Sequence, residues 1–363
     1  MENKAKVVAP VTDESYTDLK VRASTVLRTV FHYDKFRDNQ FDIVATLLGG
    51  SDALVIMPTG GGKSMCYQLP ALLYDKGLTL VVSPLISLME DQVGGLKVRD
   101  ISAEYLNSTL SRYQIDDIYR RLETDEIRLL YVAPERFAVE SFYGLLKRIY
   151  ARDRLNLIAV DEAHCISEWG CDFRADYRRL SIFKRDFTRT PVVALTASAT
   201  ESVRRDIIDQ LKIDGCRVFI SSFDRPNLFY RAYEFNETLF QQELARYRGQ
   251  SAIIYCQTRG SVDRLTDKLN ADKYSAKAYH AGLDSDTRTQ VQRDFLEGRV
   301  QIIVATVAFG MGIDKPDVRL VVHYNLPKSI EGYYQETGRA GRDGGESECI
   351  LFYRTADVYK RQC

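Results

Sequence analysis

Short continuous apolar runs punctuate this chain and alternate with longer stretches whose apolar positions recur every three or four residues. Runs at 54–57, 78–83, 128–133, 155–160, 191–196 and 217–220 predict strands, and the stretches between them predict helices. Strands that are apolar at every position are buried on both faces, as in a parallel sheet covered by helices. Residues 221–227, SSFDRPN, interrupt the pattern, and Pro226 in this polar run predicts a linker. A second series follows at 228–233, 251–256, 276–280, 300–306, 319–324 and 347–353. Residues 1–15 are polar and aperiodic and are expected to be disordered, with a helix over about Tyr16 to Thr29. The expected organisation is a tail at 1–15, one α/β domain at 16–221 and a second at 222–356.

Composition narrows the class without naming a function. A chain of 363 residues, 45% apolar and 28% charged, has room for two globular domains. No apolar run approaches membrane-spanning length, and the opening MENKAKVVAP has no signal-peptide core. No membrane partner and an intracellular, cytoplasmic location are therefore expected. Fifty basic residues balance fifty acidic ones, which argues against a broadly basic surface but leaves room for a local basic groove. The cysteines at 66, 165, 171, 216, 256, 349 and 363 include no C-x-x-C pair, so free thiols are expected and no zinc site.

The chemistry centres on LVIMPTGGGKSMCYQLPALL, residues 54–73. An apolar strand, a glycine loop and a helix N-terminus in succession make an anion site. Gly60, Gly61 and Gly62 let backbone N–H groups approach phosphate oxygens, and the helix start adds unpaired donors and the positive end of its dipole. Lys63 is placed to reach β- and γ-phosphates, and Ser64 to ligate Mg²⁺. Met57 stands where the G-x-x-x-x-G-K-[ST] pattern has its first glycine. The alternative is a glycine-rich turn that binds nothing.

Other segments supply partners for this loop. The strand at 155–160 ends in Asp161-Glu162-Ala163-His164. There Asp161 suits a Mg²⁺-holding carboxylate, Glu162 a group that orients or deprotonates water, and His164 a coupling residue. A polar helix cap would use the same residues. Upstream, FHYDKFRDNQ (31–40) offers aromatic rings and Arg37 to stack on a purine, and the Gln40 amide for its N6/N7 edge; a helix with an aromatic face explains it as well. Downstream, residues 165–177 hold Trp169, Phe173, Tyr177 and Arg174. This loop either stacks bases and holds phosphate or plugs onto the sheet. Ser198 and Thr200 of LTASAT are candidates to bond the carboxylate loop, or Thr200 is a helix cap.

In the second domain, glycines of VATVAFGMGIDKPDVR (304–319) allow close approach to a ligand, and Asp314 is placed to accept from a ribose hydroxyl. In YYQETGRAGRDGG (333–345), Arg339 and Arg342 lie three apart after a helix, spaced either as arginine fingers on a γ-phosphate or as a surface turn. Site logic puts a nucleotide in the cleft between two α/β domains that open and close as it is hydrolysed.

With these motifs in hand, residues 20–356 resemble the two-domain motor core of superfamily 2 helicases, specifically the RecQ family of ATP-dependent DNA helicases. The resemblance rests on FHYDKFRDNQ, MPTGGGKS, VVSPLISLMEDQV, YVAPERF, DEAHCISEWGCDFRADY, LTASAT, YCQTR, YHAGL, VATVAFGMGIDKPDVR and YYQETGRAGRDG. It implies two RecA-like parallel-sheet domains with ATP in the cleft between them, and Met57 is usual in that superfamily. It implies that Tyr33, Arg37 and Gln40 read adenine, with Thr59 and the loop glycines in the ATP site. Lys63, Ser64, Asp161 and Glu162 then run hydrolysis with Mg²⁺, and Arg339 and Arg342 act across the cleft. Trp169, Phe173 and Arg174 contact DNA, and His164 and Gln335 couple that contact to turnover. The implied partner is single-stranded and partly duplex DNA, unwound 3′→5′ in repair and recombination, with a bacterial nucleoid setting. An RNA-remodelling ATPase and a silent nucleic-acid-binding protein are the competing readings.

The family resemblance also implies a cysteine-ligated zinc module and a winged helix beyond this core. Cys349 alone makes no zinc site, since four ligands are needed. The closing residues 357–363, DVYKRQC, read as a translated sequencing-adapter end, so the reading frame is expected to have been cut there.

Overall fold

The computed structural model describes residues 13–107, 109–167, 174–309 and 315–355, except the side chains of residues 13, 14, 87, 175 and 285. Trp169, Phe173 and Asp314 lie outside the described residues, as do the first twelve residues and the segment 356–363.

The chain divides between Phe223 and Asp224 into two compact units. The first contains, in order, α1 (Asp13–Thr29), α2 (Gln40–Leu48), β1 (Ala53–Ile56), α3 (Met65–Leu73), β2 (Leu78–Val82), α4 (Ile86–Lys97), β3 (Ala103–Leu106), α5 (Arg112–Glu123), β4 (Leu129–Val132), α6 (Glu140–Ala151), β5 (Leu155–Val160), α7 (Ile182–Asp186), β6 (Val192–Thr196), α8 (Glu201–Leu211) and β7 (Arg217–Ile220). The second contains β8 (Leu228–Glu234), α9 (Glu237–Ala245), β9 (Ser251–Tyr255), α10 (Arg259–Ala271), β10 (Ala276–Tyr279), α11 (Ser285–Leu296), β11 (Ile302–Ala305), β12 (Val318–His323), α12 (Ile330–Thr337) and β13 (Ser347–Tyr353).

Each unit is built on one parallel sheet. Strand order is β3-β4-β2-β5-β6-β1-β7 in the first and β10-β11-β9-β12-β13-β8 in the second. Side chains alternate between faces along a strand, so each strand feeds two cores. Leu54, Leu80 and Ile158 pack into one core of the first sheet, while Val55, Val81, Leu157 and Ala159 pack into the other. In the second sheet Ile254, Val304, Val322 and Ile350 face one way and Ile253, Ile303, Val321 and Cys349 the other. This two-sided demand is why the strands read as unbroken apolar runs.

Strand ends fall within a residue or two of the expected runs, with two differences. The helix expected from Tyr16 begins at Asp13. Strand β3, AEYL, was not anticipated; it lies on the sheet edge with its two middle residues only half-buried, so it lacks a continuous apolar run. Several helices start on side-chain caps that satisfy their first N–H groups. Thr200 caps α8 at Val203 N, as its cap reading held, and Ser111 and Gln114 form a reciprocal box on α5.

Strand order fixes where the chemistry falls. Strands β5, β6 and β1 are consecutive neighbours in the first sheet. Their carboxyl ends therefore deliver Asp161, the residues after Thr196, and the glycine loop to one edge, where ligands of parallel sheets bind. Met57 N–H donates to Thr196 O at 3.1 Å, and Asp161 N–H to Val82 O at 2.9 Å, extending the sheet into the loops.

Candidate functional site

The glycine loop runs from Pro58 to Ser64 and leads into α3. Gly60 and Gly62 have φ of 78° and 86°, open to glycine without strain. At Gly62 a Cβ would also stand 2.4 Å from Gln40 Nε2. Gly61 N–H donates to Pro58 O at 2.9 Å and closes the turn. The N–H groups of Gly62, Lys63 and Ser64 have no hydrogen-bond acceptor among the described residues, which leaves them as donors for an anion. Ser64 occupies the helix cap position, but its hydroxyl makes no capping bond. Lys63 Nζ donates to Met57 O at 3.3 Å, so its ammonium folds back over the loop.

Two residues expected to read adenine grip this loop. Gln40 is 4% exposed. Its Oε1 accepts from Arg37 N–H at 2.8 Å, and its Nε2 donates to the carbonyls of Gly62 and Gly61 at 3.1 and 3.4 Å. Arg37 reaches the loop as well, donating to Gly60 O at 2.7 Å. The Phe31–Gln40 segment is thus a bracket for the phosphate loop, with the donors of Gln40 and Arg37 turned to loop carbonyls and the Gln40 acceptor turned to Arg37 N–H. Tyr33, 48% exposed, leaves its ring open to a flat ligand.

Asp161 follows β5 and is 8% exposed. Its Oδ1 accepts from Glu162 N–H at 3.0 Å. Burial, and then the charge of Glu162, hold its proton up to about 7, against the pull of Lys63. Glu162 adopts a left-handed conformation at φ 47°, uncommon for a residue with a side chain and typical of functional turns. Two carboxylates share this buried turn, so the site carries excess negative charge.

His164 anchors the turn from behind. It is buried, with Nδ1 3.0 Å from Thr196 Oγ1 and 3.3 Å from Glu162 Oε2. Thr196 Oγ1 donates onward to Ser198 O at 3.1 Å, so it accepts from His164, and the imidazole proton sits on Nδ1. The hydroxyl that reaches the carboxylate loop is therefore that of Thr196, where the sequence pointed to Ser198 and Thr200.

The aromatic segment after this turn is described at residues 165–167 and from Arg174 onward. Tyr177 is buried and donates its hydroxyl to Asp161 O at 3.0 Å, so this ring plugs the loop onto the sheet. Arg174 donates to Pro84 O at 2.8 Å, joining this segment to the turn after β2. Sequence reasoning also missed a buried polar set beneath α3. Gln68 Nε2 donates to Tyr131 Oη at 3.0 Å and to Gln92 Oε1 at 2.8 Å, and nothing in the local pattern marks it.

In the second unit, α12 carries Gln335 and leads into Arg339 and Arg342. Arg339 is 7% exposed and lies against the Tyr255 hydroxyl, whereas Arg342 is half-exposed. Of the paired arginines, Arg342 is the more exposed.

The donor set suits a hard divalent cation. Asp161 and Ser64 offer a carboxylate and a hydroxyl. Among the described residues no three or more His, Cys, Asp or Glu side chains gather into a self-sufficient metal site. A carboxylate and a hydroxyl suit Mg²⁺, which takes most of its ligands from phosphate and water. No helix among the described residues is long and apolar enough to cross a membrane.

Comparison with known proteins agrees with this geometry. The DEAD/DEAH box helicase family matches residues 37–206, and the helicase conserved C-terminal domain matches 236–344. The ATP-dependent DNA helicase RecQ of Pasteurella multocida is 48% identical over 343 residues, 93% of this chain and 53% of the relative. The ATP-dependent DNA helicase Q-like 2 of Arabidopsis thaliana is 48% identical over 348 residues, 93% of this chain and 49% of the relative. This chain therefore spans about half the length of the curated relatives it matches. Among solved structures, the Mycobacterium smegmatis helicase Lhr bound to single-stranded DNA and AMP-PNP superposes with a TM-score of 0.70 at 20% identity, over 98% of this chain and 49% of that one. Saccharomyces cerevisiae Dbp5 bound to RNA and ADP BeF3 gives 0.71 at 17%, over 95% and 90%. These likenesses establish two RecA-like domains. Taken with the glycine loop, the buried Asp161–Glu162 turn and the arginine segment, they place this chain in the RecQ family of DEAD/DEAH-box helicases.

Proposed function

We propose that this chain is an ATP-driven DNA motor that couples ATP hydrolysis to 3′→5′ movement along single-stranded DNA and to duplex unwinding, in intracellular repair or recombination. The observation that carries the reading is the shared sheet edge: the Lys63 loop leaves β1 and the buried Asp161–Glu162 turn leaves β5, the two strands that flank β6 in one parallel sheet.

The unpaired N–H groups of Gly62, Lys63 and Ser64 receive the triphosphate, with Thr59 at the loop entrance. Lys63 leaves Met57 O to meet β- and γ-phosphate oxygens. Asp161 and Ser64 would hold Mg²⁺, which when bound would neutralise phosphate charge. Glu162 orients the attacking water and takes its proton. Tyr33 stacks on the base, with Arg37 and Gln40 beside it, and Asp314 accepts from the ribose. Arg342 supplies positive charge to the γ-phosphate as it transfers, with Arg339 behind it. Trp169, Phe173 and Arg174 contact DNA, and His164 and Gln335 pass that contact to the hydrolytic turn.

The deciding experiment is ATP hydrolysis measured alone, with single-stranded DNA and with single-stranded RNA. Strong stimulation by DNA and little by RNA is expected. Stimulation by RNA alone would make the chain an RNA-remodelling ATPase. Absence of Lys63-dependent hydrolysis under all three conditions would make it a binding protein.

A further inference from the structure

The second unit buries a hydrogen-bonded imidazole–carboxylate pair that the hydrolytic scheme does not use. His323, 1% exposed at the end of β12, places Nε2 2.6 Å from Glu336 Oε2 in the last turn of α12. A carboxylate only accepts, so the imidazole proton sits on Nε2, and Nδ1 has no hydrogen-bond partner among the described residues. The ring is held on two sides. Tyr255 stacks on it at 5.2 Å, and Tyr333 meets it edge-on at 4.7 Å. Tyr255, at the end of β9, donates its hydroxyl to Phe309 O at 3.0 Å, in the stretch leading to the glycine-rich loop after β11. The same hydroxyl feels the charges of Arg339, Glu336 and Arg342.

Glu336 lies three residues before Arg339 and six before Arg342. Beyond them the chain is clamped a second time. Gly341 N–H donates to Val318 O at 2.9 Å, and Gly341 O accepts from Arg225 and from Asn227 Nδ2, each at 2.8 Å. Arg319 pairs with Asp343. Gly341 has φ 55°, and a Cβ there would stand 2.5 Å from Asn227 Nδ2, so the far clamp admits only glycine. The arginine segment is thus a short span fixed at both ends. The far clamp is made of backbone bonds and partly exposed side chains, and the near clamp is one buried pair. Replacing a buried carboxylate by an apolar group leaves the imidazole N–H unsatisfied and frees the span at that end.

We propose that His323 and Glu336 are positioning residues for ATP turnover: the pair fixes the near end of the arginine segment and, through Tyr255, ties it to the stretch at Phe309, so that Arg339 and Arg342 are aimed by a device that touches no substrate. This rests on the ATPase reading above. A pair of this kind acts on the transition state more than on ground-state binding, because misaiming a charge by a fraction of an ångström costs catalysis first.

The test is a comparison of Glu336→Ala, Glu336→Gln and Tyr255→Phe by DNA-stimulated ATP hydrolysis, equilibrium binding of a fluorescent ATP analogue, and thermal unfolding. For Glu336→Ala, kcat falls by about tenfold or more while analogue Kd stays within about twofold of the unsubstituted chain. Glu336→Gln, whose amide oxygen still accepts from His323 Nε2–H, recovers kcat to within about threefold. Tyr255→Phe loses one hydroxyl and no volume, so it reads the link even if Glu336→Ala fails to fold; its kcat falls by about threefold with unchanged Kd. The proposal is overturned if folded Glu336→Ala turns over ATP like the unsubstituted chain, if Gln rescues no better than Ala, or if Tyr255→Phe is indistinguishable from the parent. Those results in a chain whose turnover still requires Lys63 overturn this inference alone. A parent chain with no Lys63-dependent turnover overturns the ATPase reading and this inference together.

Discussion

Gln40 donates its side-chain amide to the carbonyl of Gly62 at 3.1 Å, across twenty-two residues of chain. The bond makes the segment before the first strand part of the phosphate loop. It carries a consequence that base recognition alone does not. Gln40→Ala is expected to weaken binding of inorganic tripolyphosphate, which has no base, by about tenfold, along with ATP. Competition against a fluorescent nucleotide measures both. A loss confined to ATP would limit Gln40 to reading adenine.

Lys63 holds the only side-chain cation of the glycine loop. Lys63→Ala is expected to lower ATP turnover by about a hundredfold or more with little change in thermal stability, since its hydrogen bond among the described residues is to Met57 O alone. Steady-state hydrolysis and a melting curve on the same sample check it.

Tyr177 places a hydroxyl on Asp161 O inside the core. Tyr177→Phe leaves that carbonyl without this donor at unchanged volume, and about 1–2 kcal/mol of stability should be lost. Denaturant unfolding should show a lower midpoint with an unchanged slope.

Burial pushes the thiols of Cys66, Cys256 and Cys349 up to about 12 each, from an ordinary value of 9.0. In the unfolded chain these thiols ionise near 9, so the stability tied to them is fully present below that pH and is lost as pH rises toward 12. At pH 8 the folded chain should keep all three unlabelled by iodoacetamide, while the half-exposed Cys216 reacts before them. Mass spectrometry of timed aliquots reads the order, and all three should label once the chain is unfolded in urea.

Legibility differs from one part of the site to another. The glycine loop was readable because its chemistry is local: strand, glycines, lysine and helix start are consecutive, and each residue type has a backbone reason for its place. The Asp161–Glu162 turn was readable for the same reason, at the end of an unbroken apolar strand. Gln40 was singled out for adenine, and its hold on the phosphate loop was missed, because its donor edge is spent on a loop that sequence distance does not bring near. Ser198 and Thr200 drew attention as hydroxyls beside a strand end, yet the hydroxyl bonded to His164 is that of Thr196, the last residue of the strand itself. The family resemblance favoured Arg342 over Arg339 as the finger, and burial of Arg339 against Tyr255 leaves Arg342 the more exposed of the two.

By itself, then, the order of residues determined the two α/β units, their strands and the phosphate loop, because apolar periodicity and glycine-rich turns act over a few neighbouring residues. Only the tertiary structure decided which polar groups meet: Arg174 with Pro84, Gln68 with Tyr131, His323 with Glu336. Those meetings depend on strand order and on which face of a sheet each residue takes, and a hydrogen bond is decided by tenths of an ångström that no local pattern encodes.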